Sequence, residues 1–187
     1  MDETPLVDGE LISDQTCISD KNMVHELDLK GFGEIEKEKL FLKSFETLYL
    51  LYTKKLILKK NNKQIDFDIF MSLCQKTDFE ILTKFLIYRD LRNRGYVVKD
   101  GFGFGSDFRV YERGHYGEKG AKFLIFGINE GQQEKMGNLQ KKVEEITEMG
   151  KEPIIAVIER RGEVIYYKIN RMNFFENKAR LEDSFEL

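Results

Sequence analysis

The stretch from Tyr88 to Tyr111 concentrates the residues that could carry chemistry. It ends a basic helix at Gly95, crosses the glycine-rich turn Gly101-Phe-Gly-Phe-Gly105 and enters a strand that ends on Tyr111. The turn glycines permit backbone angles closed to other residues, and polar and apolar residues alternate from Asp107 onward as in a half-buried strand. The sequence therefore predicts a helix, a sharp turn and a strand that ends on a tyrosine.

Several common catalytic motifs are absent from the sequence. It has no His-Glu-x-x-His pair, no Cys-x-x-Cys, no phosphate-binding loop ending in Gly-Lys-Ser/Thr and no Gly-x-Ser-x-Gly elbow. Cys17 and Cys74 stand in different sequence environments, with no histidine nearby at metal-ligand spacing. We therefore expect no metal and no cofactor.

The segment Tyr88-Arg-Asp-Leu-Arg-Asn-Arg-Gly-Tyr96, with the turn and strand that lead to Tyr111, resembles the signature of the archaeal tRNA-intron (tRNA-splicing) endonucleases. The resemblance implies metal-independent cleavage of pre-tRNA that leaves 2′,3′-cyclic phosphate and 5′-hydroxyl ends. In that family a tyrosine, a histidine and a lysine deprotonate the attacking 2′-hydroxyl, protonate the leaving 5′-oxygen and stabilise the negative charge of the phosphate.

Two of these three family residues have counterparts in this chain. Tyr111 stands at the tyrosine position, and Lys151 precedes the apolar strand 154–158 as the family lysine precedes its own strand. The family histidine lies immediately before the next strand, and here Gly120 fills that place. His115, with a glycine on each side of its loop, is the histidine that could bend towards the same space.

The helix before Lys151 also departs from the family pattern. Catalytic subunits carry an arginine-containing helix there, of the type Arg-x-Ala-His-Ser-x-x-Lys, whereas this chain has Glu144, Glu145 and Glu148. Carboxylates repel a phosphate backbone. Together with the glycine at position 120, this favours a structural, non-catalytic subunit whose catalytic partner completes a heterotetramer.

Two alternatives stay open at this point. The chain could be an active endonuclease subunit, also as copies of itself in a homo-oligomer, with Tyr111 as base, His115 as acid and Lys151 as charge stabiliser. It could instead be a nuclease-like nucleic-acid-binding module outside any such complex. Metal-dependent nucleases cluster Asp, Glu and Lys residues, and the sequence around Asp107 shows no convincing arrangement of that kind.

Contact with pre-tRNA would need a local basic patch, because the formal net charge is −3. Arg92, Arg94 and Lys99 are the candidate RNA-binding residues. A solvated helix face is the competing interpretation for the arginines, which belong to a basic cluster on the long helix.

The resemblance also implies two assembly contacts, because family subunits pair their C-terminal strands and insert an acidic loop into the opposing dimer. The strand candidate is the segment 163–169, which contains Val164, Ile165, Tyr166 and Tyr167. Its β-branched and aromatic residues suit an edge that would otherwise be exposed. The loop candidate carries Glu130 and Glu134, and an ordinary hairpin with a solvated loop is its competing interpretation.

We predict an α/β (α+β) chain with a small N-terminal α/β domain in residues 1–77, a C-terminal mixed-sheet domain in 78–170 and a tail in 171–187. A helix over 78–94 would link the two domains. Periodicity and turn residues predict the other elements as follows. The first domain has a few short strands before residue 40, helices over 41–52 and 66–75, and a strand and turn over 56–63 between them. The second has strands over 96–99, 107–111 and 122–128, a helix over 137–149, and strands over 153–159 and 163–169. This order predicts a mixed sheet with a helix on one face.

Composition places the chain among ordinary globular proteins, since 41% of its 187 residues are hydrophobic. Its longest apolar runs, such as 154–158, are far shorter than the roughly 20 residues that a membrane helix needs. The acidic start does not resemble a signal peptide. We expect a reduced, cytoplasmic protein without a membrane contact.

Overall fold

The computed structural model of this chain describes residues 6–101, 106–129 and 136–170. Within these residues the chain forms two β-sheets with helices packed against them. The first sheet lies wholly in the N-terminal part of the chain, and the second, of mixed direction, lies in the C-terminal part. This confirms the predicted fold class.

The N-terminal sheet has six strands. In chain order they are β1 (Val7–Ile12), β2 (Gln15–Ile18), β3 (Glu34–Glu36), β4 (Lys39–Leu42), β5 (Leu56–Lys60) and β6 (Lys63–Ile65). They lie side by side in the order β3-β4-β2-β1-β5-β6. The β1–β5 pair is parallel and the other neighbours are antiparallel. The helices of this part are α1 (Lys21–Leu29), α2 (Ser44–Tyr52) and α3 (Phe67–Cys74).

Helix α1 corrects the sequence prediction, which placed only short strands and turns before residue 40. Asp20 acts as its N-cap, because the carboxylate accepts hydrogen bonds of 3.0 Å from the backbone N–H groups of Asn22 and Met23. Aspartate favours both turns and N-caps, so the sequence pattern did not separate the two. The predicted helix over 41–52 likewise begins later, because Phe41 belongs to β4.

The C-terminal part follows helix α4 (Ile81–Asn93), which ends at Gly95 in a left-handed conformation. Its elements are β7 (Val97–Asp100), β8 (Phe108–Tyr111), β9 (Phe123–Asn129), α5 (Met136–Glu148), β10 (Glu152–Ile158) and β11 (Val164–Lys168). They form a sheet in the order β11-β10-β9-β8-β7, in which β9 and β10 run parallel and the other neighbours antiparallel. The predicted order of three strands, a helix and two strands is confirmed.

Helices cover this sheet on both faces, where the sequence predicted a helix on one. Ile125 of β9 belongs to the core shared with α4, whereas its neighbours Leu124 and Phe126 pack against Ile146 of α5. Alternation along β9 sends successive side chains to opposite faces. A strand buried on both faces is therefore apolar at consecutive positions, as β9 is.

The N-terminal and C-terminal parts share one hydrophobic core. Phe45 of α2 lies 4.9 Å from Tyr88 of α4 and 5.1 Å from Phe108 of β8, measured between ring centroids. All three side chains are buried. The predicted domain boundaries stay a prediction, but the packing joins the two parts through α2 and α4.

Candidate active site

Strand pairing brings Tyr111, Gly120 and Lys151 together at the ends of three neighbouring strands of the C-terminal sheet. Tyr111 ends β8, which runs antiparallel to β9, so the end of β8 meets the start of β9. Strand β10 runs parallel to β9, with Glu152 paired to Phe123, so the starts of these two strands also meet. The three positions that sequence analysis selected are therefore neighbours in the fold although they span some forty residues of sequence.

A cavity of about 530 Å³ opens at these strand ends. Its lining includes Tyr111, Tyr116 and residues 117–120, together with Asp28 from the end of α1. The Tyr116 ring packs edge-on against Tyr111 with 5.0 Å between centroids. The N-terminal part of the chain thus supplies one wall of the site.

The backbone at position 120 points towards the ammonium of Lys151. A Cβ atom at Gly120 would lie 3.3 Å from Lys151 Nζ. The φ angle of Gly120 lies outside the left-handed range, so residues with side chains can adopt it. A side chain at position 120 would therefore start between the cavity and Lys151.

The end of α5 holds the backbone of Lys151. Gly150, with φ of +68°, terminates the helix, and the N–H of Lys151 donates to the carbonyl of Ile146 at 3.1 Å. This is the six-to-one hydrogen bond of a Schellman motif. The next N–H, that of Glu152, donates to the carbonyl of Lys122 at 2.9 Å and begins the pairing with β9. Lys151 is thus fixed between a helix stop and a strand start.

His115 lies in the same loop, but its imidazole lies near Glu112. Its Nδ1 is 3.8 Å from Glu112 Oε2, and it is not among the residues that line the Tyr111 cavity. Glu112 in turn accepts a 2.7 Å hydrogen bond from Lys122, which lowers the pKa of the Glu112 carboxyl. In this conformation the imidazole therefore lies on the Glu112 side of the loop, and its Nδ1 makes no hydrogen bond within the described residues.

Charges around the Tyr111 cavity are mixed. Asp28 and Glu118 line it together with Lys119. Burial raises the pKa of the Tyr116 phenol, and the charge of Asp28 raises it further. Sequence reasoning missed Tyr116 and Asp28. Tyr116 follows His115 directly in the loop between β8 and β9. Asp28 belongs to α1, and no local sequence pattern indicates that α1 packs beside this loop.

The predicted RNA-binding residues have partners within the chain. The guanidinium of Arg92 lies 3.9 Å from the centroid of the Phe32 ring and donates to the carbonyl of Lys30 at 3.0 Å. Arg94 forms a 2.7 Å ion pair with Asp90 and is half exposed. Both arginines keep part of their surface accessible, so the prediction of RNA contact stays open for them.

Lys99 does not fit the predicted role, because only 7% of its surface is exposed. Its ammonium donates to the carbonyl of Gly33, whose own N–H donates to the buried carboxylate of Glu46 at 2.9 Å. Burial lowers the pKa of Lys99, and the negative charge of Glu46 opposes that shift. The side chain joins β7 to the N-terminal part instead of facing solvent.

Strand β11 forms one end of the C-terminal sheet, and within the described ranges no strand pairs with its outer edge. Ile165 and Tyr167 are exposed, whereas Val164 and Tyr166 are half-buried. The Tyr166 hydroxyl donates to Asp90 of α4 at 2.8 Å. The other predicted interface residues, Glu130 and Glu134, lie outside the described residues.

In the part of the chain that the structure describes, no three His, Cys, Asp or Glu side chains converge on a possible metal position. The same residues contain no helix of the length and hydropathy needed to cross a membrane.

Family models match most of the chain. The catalytic C-terminal domain of tRNA intron endonucleases matches residues 81–166, and the N-terminal domain of the same family matches residues 7–71. A tRNA-splicing endonuclease of Methanococcus vannielii is 31% identical over 164 residues, which cover 87% of this chain and 93% of that protein. The chain belongs to the tRNA intron endonuclease family.

Other archaeal relatives agree with this assignment. The tRNA-splicing endonuclease of Thermococcus kodakarensis is 31% identical over 88% of this chain and 97% of its own length. That of Thermococcus onnurineus is 34% identical over 76% of this chain and 82% of its own length. The matched C-terminal domain of this family member contains Tyr111, Gly120 and Lys151, and thus the three strand ends described above.

Proposed function

We propose that this chain is the structural, non-catalytic subunit of a tRNA-splicing endonuclease that acts on pre-tRNA with a catalytic partner chain. The observation that carries the proposal is the glycine at position 120, because its missing side chain faces both the Tyr111 cavity and Lys151 Nζ. In this assignment the chain positions the partner and the RNA, and the partner supplies the cleavage sites.

The proposed reaction defines what a working site needs. The 2′-oxygen of a nucleotide attacks the adjacent phosphorus, the bond from phosphorus to the 5′-oxygen breaks, and a 2′,3′-cyclic phosphate and a 5′-hydroxyl form. A base takes the proton of the 2′-hydroxyl, and an acid gives a proton to the 5′-oxygen. A cation stabilises the charge on the phosphate oxygens. No metal takes part in this scheme.

Tyr111 and Lys151 have the chemical character of the base and the cation in this scheme, but glycine has no proton to give. Proton transfer from a positioned acid accelerates such reactions by roughly 10²–10⁴-fold. A site without its acid would thus cut at a rate that is negligible beside the partner's. Two carboxylates, those of Asp28 and Glu118, line the cavity together with the ammonium of Lys119, so its lining does not concentrate positive charge for an incoming phosphate.

The outer edge of β11, with which no strand of the described residues pairs, supports the subunit assignment. A strand edge with free backbone groups and exposed apolar side chains is suited to pairing with another chain. The hydrogen bond from Tyr166 to Asp90 holds β11 against α4, so this edge is presented in a fixed orientation. A heterotetramer would use it for a catalytic partner, and a homo-oligomer would use it for a second copy.

The runner-up is an active subunit in which His115 replaces the missing acid. Its support is that His115 lies in the loop between Tyr111 and Gly120, and that Gly114 and Gly117 hold left-handed angles on either side of it. A loop rearrangement would have to move the imidazole from Glu112 into the cavity.

Cleavage of an intron-containing pre-tRNA in EDTA tests the proposal. The full chain is assayed alone and together with its co-purifying partner, as wild type, Tyr111→Phe, Lys151→Ala and His115→Ala. We expect cleavage only with the partner, at the same rate for all four versions of this chain. Cleavage by the wild-type chain alone that His115→Ala abolishes would establish the active subunit instead.

A further inference from the structure

A second cavity, of about 460 Å³, lies where the N-terminal and C-terminal parts of the chain meet. Lys30, Tyr49 and Lys55 line it from the N-terminal side, and Arg92 and Tyr96 from the C-terminal side. Neither the proposed chemistry nor the strand-edge interface uses these residues.

The lining is cationic and contains no acidic side chain among the described residues, and a carboxylate outside the lining, that of Glu26, accepts a 2.7 Å hydrogen bond from Lys30 Nζ. Lys30, Lys55 and Arg92 are half-buried, so their charges lie in surroundings of lower dielectric constant than water. Arg113 adds a fourth cation beside the cavity, with its guanidinium 4.8 Å from the centroid of the Tyr96 ring. On a chain with a net charge of −3, this is a local concentration of positive charge.

Aromatic rings lie among these cations. Tyr49 and Tyr96 are half-buried, and each exposes part of its ring or hydroxyl. The Tyr49 hydroxyl is 3.4 Å from Oδ1 of Asn93, which also lines the cavity. Cations that reach a phosphate and rings on which a base can stack are the two features by which proteins hold single-stranded nucleic acid.

The second cavity adjoins the Tyr111 cavity through the end of α1. Asp28 lines the Tyr111 cavity, whereas Lys30, two residues later, lines the second one. Val97 lines the second cavity and is paired with Tyr111 across β7 and β8. The two cavities therefore adjoin each other, separated by the end of α1 and the β7–β8 pair.

We propose that the second cavity binds one unpaired nucleotide of the pre-tRNA, with its phosphate at Lys30 and Lys55 and its base on Tyr49 and Tyr96. The inference rests on the proposed RNA substrate but not on the division between structural and catalytic subunits. In this proposal the chain positions the RNA whether or not it cleaves the RNA itself.

Binding measured at several salt concentrations tests this inference. Fluorescently labelled pre-tRNA is titrated in EDTA with the full chain, as wild type, as the double variant Lys30→Gln/Lys55→Gln, as Lys55→Gln alone and as Tyr96→Leu. Lys63→Gln, which removes an exposed lysine on β6 outside the cavity, is the matched control. Thermal melts verify that each variant is folded.

Each lost phosphate contact is expected to reduce the slope of log K against log salt by about 0.7, the value for single strands. Tyr96→Leu is expected to weaken binding about tenfold through lost stacking while leaving the slope unchanged. The control should match wild type. An unchanged slope in both lysine variants would overturn the proposal, as would absence of pre-tRNA binding by the wild-type chain.

A free mononucleotide carries the same phosphate and base, so adenosine monophosphate is titrated separately. Tight binding of this nucleotide, together with lysine variants that bind pre-tRNA like wild type, would assign the cavity to a small metabolite and overturn the proposal. Cleavage by the wild-type chain alone would refute the structural role but would leave this binding result standing.

Discussion

At position 120 the backbone accepts a side chain, whereas at Gly31 it does not. Among the described residues, Nζ at the flexible end of Lys151, 3.3 Å away, is the one atom outside the neighbouring residues that lies within 4 Å of a Cβ at Gly120. A Cβ at Gly31 would lie 2.3 Å from Val97 Cγ1, and Gly31 has a φ of +73°. Gly31 is thus required by packing and backbone angle, and Gly120 by neither.

This contrast gives a paired prediction for stability. Gly120→Ala should change the free energy of unfolding by less than about 1 kcal/mol. Gly31→Ala should lower it by about 3 kcal/mol, because the left-handed angle and the overlap with Val97 both cost energy. Urea denaturation measures both. Equal losses for the two variants would show that Gly120 has a structural role.

The buried carboxyl of Glu46 gives a prediction for pH dependence. Burial raises its pKa above the ordinary 4.5, against hydrogen bonds from Lys43 and Gly33 and the charge of Lys99. The folded chain therefore holds this proton more tightly than the unfolded chain does. The contribution of Glu46 to stability is complete below about pH 4.5 and is lost as the pH rises through the folded-state pKa.

The stability advantage of wild type over Glu46→Gln should therefore shrink between about pH 4.5 and about pH 8. Denaturation at both values measures it, with Glu10→Gln, an exposed glutamate of β1, as the control. An advantage that grows with pH would mean that the nearby cations outweigh desolvation.

At the scale of the elements, the hydrogen bond from Tyr166 to Asp90 fixes β11 to α4. Tyr166→Phe should lower the free energy of unfolding by about 1.5 kcal/mol, because it removes one hydrogen bond to the Asp90 carboxylate, which keeps its ion pair with Arg94. Tyr167→Phe, at a position 52% exposed, should change it by less than about 0.5 kcal/mol. Thermal denaturation compares the two. Equal effects would contradict the anchoring of β11 through Tyr166.

The C-terminal elements were predictable from sequence because their signals are local. Strands β9 and β10 are continuous apolar runs, and Gly95 and Gly150 mark the ends of α4 and α5. Helix α1 was not predicted because an aspartate such as Asp20 is as typical of a turn as of a helix N-cap. Tyr111 and Lys151 were selected through a motif, and their roles stay a prediction. The burial of Lys99 depends on its contact with Gly33, which is far away in sequence and leaves no local signal.

For the whole molecule, the shared core predicts cooperative unfolding. The larger cluster of buried hydrophobic side chains contains residues of both sheets, with Val7 of β1 as its first member in sequence and Ile158 of β10 as its last. Urea unfolding followed by far-UV circular dichroism and by tyrosine fluorescence should therefore give coincident transitions. Two separate transitions would show that the N-terminal and C-terminal parts unfold independently.

The central proposal is that Gly120 deprives this family member of the proton donor of its site. Placing a histidine at position 120 tests it most directly. The full chain, without a partner, is assayed for cleavage of pre-tRNA in EDTA as wild type, Gly120→His and Gly120→Ala, and the rates are compared. We predict that the Gly120→His chain cleaves at least about 100-fold faster than wild type, whereas Gly120→Ala cleaves no faster than wild type. Adding Tyr111→Phe to Gly120→His should remove this gain. Wild-type cleavage as fast as that of Gly120→His would contradict the claim.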